Sequence, residues 1–462
     1  MQAKSITEQL AHHIHGAMAG PAPAPEVVHA VERLLLDSLA CALGAHRSPA
    51  VQAGRRWASK IAGSPACTIL GSGAKSSVLG AAMVNCMMVR DLDMSDTYFS
   101  VNPAHSSDNI GTCLAVAEAE NSAPMDVIKS ILIAFEVQMR CCEFTSSSFF
   151  KTLGWDQTTL VTIASAAAAG ALLHLDEAQL AQALAIAGCY PTIGEVRVGQ
   201  MSMLKGASAG LAASRGIEAA YLAQAGMTGP REVFEGKRGL SRQVFGPCDW
   251  SVLTAPFDRW RLPITCLKRY PAAYIIHSSI DATLSLVKEF AIDPAHVRRV
   301  QVDAFEWLME DMVHGMGGTS RYEIDERETA DHSLPYAVAV SLVDGTYEIG
   351  QLMAKRWDAP EVQAMMAKVE CVHDKAMDAR FPPDRPTRVT IELQDGRSLV
   401  REFAYPKGDY RDPFSDEDIT QKFMTLSAGV LNEAQQRKAI AAALGFSRSS
   451  LGELLAACVA RD

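Results

Sequence analysis

Apolar residues recur at intervals of three and four through much of the first 260 positions, as in Val27, Val31, Leu34, Leu35 and Leu39. That spacing turns one face of a helix toward a core, and Gly44 is placed to end the helix. From Thr158 to Ala187 the chain is rich in alanine and leucine, and Asp176 with Gln179 three residues on reads as a capping box. Two helices joined near His174 are therefore predicted. A stripe of small residues, Gly206, Gly210 and Ala213, marks another helix able to approach its neighbours closely. It runs to Gly226, where Gly-Met-Thr-Gly-Pro supplies a stop.

The pattern changes near residue 265. Val300, Val302 and Ala304 alternate with polar residues, as do Val389, Ile391 and Leu393 before Asp395-Gly396, with Leu399 beyond. The second group reads as a hairpin closed by a type I′ turn. Helical spacing returns before and between these strands, at 278–290 and 334–343. The expected fold is mainly α with an α+β second domain: a helical domain from 1–265 and 405–462, and a smaller α+β domain from 266–404. The tail, 416–460, is again helical and is expected to rejoin the first domain.

A chain of 462 residues, 48% hydrophobic and 21% charged, has enough apolar material for a large core. Its net charge of −10 argues against a nucleic-acid footprint, which would need clustered Lys and Arg. An anionic ligand would have to be met by a few local cations. The longest apolar run, Leu160–Leu173, is too short to span a bilayer, and the first residues lack the apolar stretch of a signal peptide. A cytoplasmic protein with no membrane partner is expected. The eleven cysteines are scattered without disulfide or zinc spacing and read as buried thiols.

Seven segments in order along the chain resemble the MmgE/PrpD family, which includes 2-methylcitrate dehydratases and cis-aconitate decarboxylases. They are LDMSDTY (92–98), HSSDNIG (105–111), GWDQTT (154–159), MLKGASAGLAASRGIEAAYLAQAGMTGP (203–230), LKRYPAAYIIHSSIDA (267–282), TADHSLPYAVAVSLVDG (329–345) and the pair Lys422-Phe423. The resemblance implies a metal-independent lyase or isomerase acting on small polycarboxylates. It also implies a helical domain built from both chain ends, a smaller α+β lid, and a homodimer.

Elimination beside a carboxylate needs a base, an acid, and fixed cations for the substrate's charges. Asp93, Asp96 and Thr97 lie within two turns, and His105 follows a Pro103-Ala104 loop, so carboxylates and an imidazole can converge there. The competing reading is that the aspartates cap helices and His105 bonds within its loop; the resemblance favours the site. Lys205 opens the small-residue helix, where an ammonium and backbone donors suit a carboxylate. Lys268, at the predicted domain boundary, and His277 nine residues later are assigned to substrate binding. His277 also faces an apolar helix and is read equally as a satisfied core histidine. Tyr336 has a phenol able to donate to a carboxylate or leaving oxygen, with a core tyrosine as its alternative.

Asp156 is the informative departure, because many relatives carry a histidine in the motif that here reads Gly-Trp-Asp-Gln-Thr. Exchanging an imidazole for a carboxylate predicts either that Asp156 acts as a base or that the substrate carries fewer carboxylates. Ala273 stands where many relatives have Cys or His. Gly71-Ser-Gly-Ala-Lys-Ser76 lacks the spacing of a phosphate loop, and His12, His13 and His15 lack a convincing ligand partner, so neither nucleotide nor metal is expected. No Cys-x-x-Cys occurs to hold an iron–sulfur cluster, and no cofactor is expected. The leading expectation is dehydration of a 2-hydroxy di- or tricarboxylate. Decarboxylation or epimerisation, and a non-catalytic binding paralogue, are its rivals.

Overall fold

All 15 residues of the helix Thr158–Leu172 are buried. A run so poor in large and charged side chains can be surrounded on every side, and it packs against the helices Pro124–Phe144 and Glu177–Ala187. The capping box at Asp176 and Gln179 is formed, and His174 turns the chain in a left-handed conformation at φ 51°. The computed structural model describes residues 3–64, 66–198 and 201–460. By density of internal contacts they fall into two units, one of Met1–Gly194, Gly206–Cys266 and Phe414–Asp462, the other of Glu195–Lys205 and Leu267–Pro413.

In the first, helical unit, Val78–Arg90 pairs with Ile110–Glu120, and the helix Pro25–Gly44 is covered by Asp416–Ser427 from the chain's far end. The small-residue stripe has a structural cause. A Cβ on Gly210 would lie 2.3 Å from the Met83 carbonyl oxygen, so only glycine lets the helix Leu204–Gln224 sit this close to Val78–Arg90. Two short antiparallel pairings also occur in this unit, Cys67–Thr68 with Lys75–Ser76 and Tyr98–Phe99 with Pro103–Ala104. The alternation rule finds neither, since two residues per strand show no period.

The second unit is α+β. Its four-stranded sheet contains β1 (Val297–Ala304), β2 (Val369–His373), β3 (Thr387–Leu393) and β4 (Ser398–Phe403), in the order β2-β1-β3-β4. Only β1 and β2 run parallel. Every second residue of β3 is buried, so the alternation in the sequence is the core face itself. The helix His277–Phe290 packs on β3 and β4, and Leu334–Asp344 packs on that helix. The β3–β4 turn is not type I′. Gly396 alone of the Asp395-Gly396 pair has positive φ, at 88°, and its N–H donates to the Leu393 carbonyl at 3.1 Å. This is a tight turn followed by a left-handed glycine, the arrangement that closes a longer hairpin loop. Among the described residues no helix is long and apolar enough to cross a membrane.

Candidate active site

The first cluster is built by a turn and a hairpin in the helical unit. Past Arg90, the last residue of its helix, Asp93 takes φ 50°, a conformation that costs a non-glycine residue about 1 kcal/mol or more. The buried Arg90 guanidinium pairs with the Asp93 carboxylate and lies 3.9 Å from Asp108. One cation thus faces two carboxylates in a region screened from water. Beyond the turn, Thr97 exchanges two backbone hydrogen bonds with Cys266, at 2.8 and 2.9 Å. Its hydroxyl donates to the Ala104 carbonyl at 3.4 Å.

The pairing of Tyr98 with Ala104 folds the chain back and brings residues 96 and 105–107 together. Asp96 then receives the N–H groups of Ser106 and Ser107 at 3.2 and 3.1 Å and the Ser107 hydroxyl at 2.5 Å. Those donors belong to the first turn of the 3₁₀ segment Ser106–Asn109, so a carboxylate satisfies the orphan amides of that turn. The backbone carbonyl of Asp96 lies 2.7 Å from His105 Nδ1. In the neutral ring that contact requires the proton on Nδ1 and leaves the lone pair on Nε2. Asp96 therefore fixes the His105 loop with its side chain and the imidazole tautomer with its main chain. The Ser95 and Ser106 hydroxyls nearby are buried with no hydrogen-bond partner among the described residues.

Under the hairpin a row of buried amides ties the loop to the helices Pro124–Phe144 and Thr158–Leu172. Gln157 donates to Asp108 at 3.3 Å, Gln138 donates to Gln157 at 3.3 Å, and Asn109 donates to Gln138 at 2.6 Å. Ser165, inside the alanine-rich helix, donates to Asn109 at 2.7 Å. Asp156 stands next to this row: its Oδ1 accepts the Thr158 N–H at 2.9 Å and the Thr158 hydroxyl at 2.6 Å. It caps the N-terminus of the helix Thr158–Leu172. The Lys422 ammonium, from the C-terminal part of the unit, donates to Asp37 and to the Met94 carbonyl, each at 2.7 Å. Burial lowers the Lys422 pKa, and its interactions with Asp37 and Cys41 together outweigh that and raise it.

The second cluster lies in the α+β unit. Lys205 Nζ is 2.6 Å from Asp331 Oδ1 and 3.1 Å from His332 Nδ1, and His332 Nδ1 is 2.6 Å from the same Asp331 oxygen. All three are buried. Asp331 and His332 occupy the link between the helices Arg327–Ala330 and Leu334–Asp344, and the link is pinned on both sides. The Asp331 carbonyl accepts the Ala273 N–H at 2.9 Å, and Ser333 both caps the second helix and donates to the Arg321 carbonyl at 2.6 Å.

Asp93, Asp96, Thr97 and His105 thus share one loop and hairpin, with Asp156 at the edge of the amide row beneath it. Lys205 belongs to the second cluster. Lys268 is fully buried in the loop that follows Cys266. His277 begins its helix between the rings of Tyr270 and Tyr274, with Nε2 3.3 Å from the Ala272 carbonyl. Tyr336 is packed against Tyr347 and Trp357; its hydroxyl reaches the Gln351 carbonyl at 3.4 Å, and burial pushes the phenol's pKa up. These two side chains are part of the packing of the α+β unit.

Sequence reasoning passed over Arg90, Gln138, Gln157, Lys422, Asp331 and His332 as site residues. Asp331 and His332 were within reach, because an Asp-His pair before Ser-Leu-Pro is an unusual expense at a helix start. The amides had no signal, since their partners come from separate helices. The cysteines offer little as ligands: burial holds the Cys86, Cys113 and Cys458 thiols up at about 12, so each is protonated near neutrality.

Two family models match the chain, the MmgE/PrpD N-terminal domain over residues 8–253 and the MmgE/PrpD C-terminal domain over residues 270–446. Among curated relatives, cis-aconitate decarboxylase of Homo sapiens is 25% identical over 94% of this chain and 90% of its own length. The mitochondrial 2-methylcitrate dehydratase of Yarrowia lipolytica is 25% identical over 77% of this chain and 71% of its own. The 2-methylcitrate dehydratase of Cupriavidus necator is 25% identical, over 78% and 77% respectively.

Proposed function

The chain belongs to the MmgE/PrpD family, and from that premise we propose that it is a cofactor-independent lyase that dehydrates a small 2-hydroxy di- or tricarboxylate. The base, His105 or Asp93, removes a proton from the carbon next to a carboxylate, and that electron pair becomes the second bond of C=C. The C–O bond breaks, and the hydroxyl leaves as water with a proton from an acid. Lys205 and Lys268 hold carboxylates, and Thr97 and the buried Ser95 and Ser106 hydroxyls add donors. Asp96 positions His105, and Asp156, His277 and Tyr336 support the site through packing and capping.

The observation that carries this reading is the 2.7 Å contact from His105 Nδ1 to the Asp96 carbonyl, which prepares Nε2 as a proton acceptor. Purified protein in EDTA should convert a 2-hydroxy polycarboxylate to an unsaturated product followed by ultraviolet absorbance. Full activity in His105→Ala would remove His105 from the mechanism, and loss of activity in EDTA would remove metal independence.

Decarboxylation is the second reading, favoured by the longer alignment with the human decarboxylase, 94% of this chain against 77% for the Yarrowia dehydratase. Product analysis by NMR in heavy water separates the two, and separates both from an epimerase, which exchanges a proton and loses no group. We also read the protein as a cytoplasmic homodimer. Trp57, Tyr190 and Leu211 of the helical unit are each more than two-fifths exposed around a groove of about 810 Å³, an apolar surface suited to a second copy.

A further inference from the structure

We propose that the α+β unit carries a binding site for a nucleoside monophosphate, in a cleft of about 620 Å³ between the helix His277–Phe290, the end of β4 and the chain around Tyr270. That volume is in the range of pockets for small organic ligands, and every residue lining the cleft belongs to this one unit. Asp281, Leu284, Ser285 and Lys288 follow one another at helical spacing, so a single face of the helix forms one wall. Phe403, the last residue of β4, and Tyr405 form another. Both rings are half-buried, and the Arg411 guanidinium lies 4.0 Å from the centre of the Tyr405 ring and steadies it. The inference stands apart from the lyase reading.

Charge, hydrogen-bond acceptor and wall together select the ligand. The acidic groups beside Phe403 and Lys407 are already spent: Glu402 pairs with Arg380 and Arg388 at 2.8 and 2.9 Å, and Asp412 with Lys407 at 2.8 Å. Arg269, whose guanidinium stands 5.6 Å from the Tyr270 ring centre, and Lys288 are exposed and form no ion pair among the described residues. Two cations with no carboxylate to neutralise them suit a phosphate dianion, the arginine as a fork of donors and the lysine as a point charge. Asp281, on the helix wall, accepts the Tyr270 hydroxyl at 2.7 Å on one oxygen and the Lys407 N–H at 3.2 Å on the other. Both donors are neutral and each oxygen retains a lone pair, so this carboxylate can receive the two hydroxyl groups of a ribose. The base then lies against Phe403 and Tyr405, where aromatic stacking holds it. A small polycarboxylate meets the same cations, but it is repelled by Asp281 and leaves the rings unused. Side chains supply these contacts, and not the amides of a glycine-rich loop, so no phosphate-loop spacing marks the site in the sequence.

Calorimetric titration of the whole chain tests the site and requires no turnover. The probes are the monophosphates of adenosine, guanosine, cytidine and uridine, with the matching nucleoside, ribose phosphate and citrate as controls. At least one monophosphate should bind with Kd below about 1 mM, and its nucleoside, ribose phosphate and citrate should each bind at least about tenfold more weakly. The double variant Arg269→Met, Lys288→Met, with a native melting curve, should weaken that monophosphate at least about tenfold. Asp281→Asn should weaken it about tenfold, and the loss should fall below about threefold for the dideoxy monophosphate, which offers no diol. A merely structural role for Asp281 would move both ligands alike. No binding of any of the four monophosphates, wild-type affinity in the double variant, equal effects of Asp281→Asn on the two ligands, or citrate binding as tightly as the best nucleotide would overturn the assignment. The lyase reading stands or falls by its own turnover assays, so the two failures are distinct.

Discussion

The His105 cluster and the Lys205–Asp331–His332 cluster use the same residue types and spend them differently. In the helical unit Asp96 receives three donors of one short turn, while its main chain orients the imidazole. In the α+β unit one carboxylate oxygen is shared by an ammonium and an imidazole. The first is a scaffold of local hydrogen bonds that holds the ring still. The second is a charge balance, in which each member stabilises the others and removal of one unsettles the rest.

That contrast is tested hardest at His105. His105→Gln should lower kcat by about 10²–10⁴, the range for a general base, with a melting temperature close to wild type; comparable turnover on a substrate panel would break the assignment. Lys205→Met should act through charge. It leaves the Asp331 carboxylate buried without its cation, at a cost of about 3–5 kcal/mol in urea unfolding, and raises KM at least tenfold. Ser107→Ala, which removes one of several donors to Asp96, should cost only about 1 kcal/mol, so near-equal losses for the two variants would erase the distinction between charge balance and scaffold.

Asp156→Asn tests the edge of the first cluster. As a cap, the residue should cost about 1 kcal/mol of stability and less than tenfold in kcat, whereas a loss of 100-fold or more would make Asp156 a base after all. The smallest expected effect is confined to the helical unit. Burial, with Arg55 adjoining, holds His46 down to about 4, below its ordinary 6.5. A base with a depressed folded pKa contributes its full stability above the unfolded value and loses it as pH falls from 6.5 toward 4, because the unfolded chain binds the proton first. Because the ring is only partly buried, solvent screening holds the loss to the order of 1 kcal/mol. Urea midpoints of wild type and His46→Gln between pH 7.5 and 4.5 should converge at the acid end; parallel curves would show no such contribution.

Periodicity alone read the helices Pro25–Gly44, Thr158–Leu172 and Glu177–Ala187, the strands β1, β3 and β4, and the capping box at Asp176, because each is encoded within a few neighbouring positions. Strand β2 was not legible. Its alternation spans five residues, and its place beside β1 depends on a parallel crossover. The type I′ turn failed for a related reason: Asp-Gly names a turn, and the length of the loop around it decides which one.

At the site the sequence by itself determined the inventory: Asp93, Asp96, Thr97 and His105 in one stretch, Lys205 at the head of a glycine-striped helix, and Asp156 where relatives carry histidine. Only the tertiary structure decided their uses. The hairpin at Tyr98 and Ala104 turned Asp96 into the holder of His105, Lys422 reached Met94 from more than 300 residues away in the chain, and Asp331 took Lys205 and His332 on one oxygen. Propensity and spacing act over a turn or two of chain, whereas a hydrogen bond or ion pair depends on distance in space. A carboxylate's identity is written locally, and its partner is settled by folding.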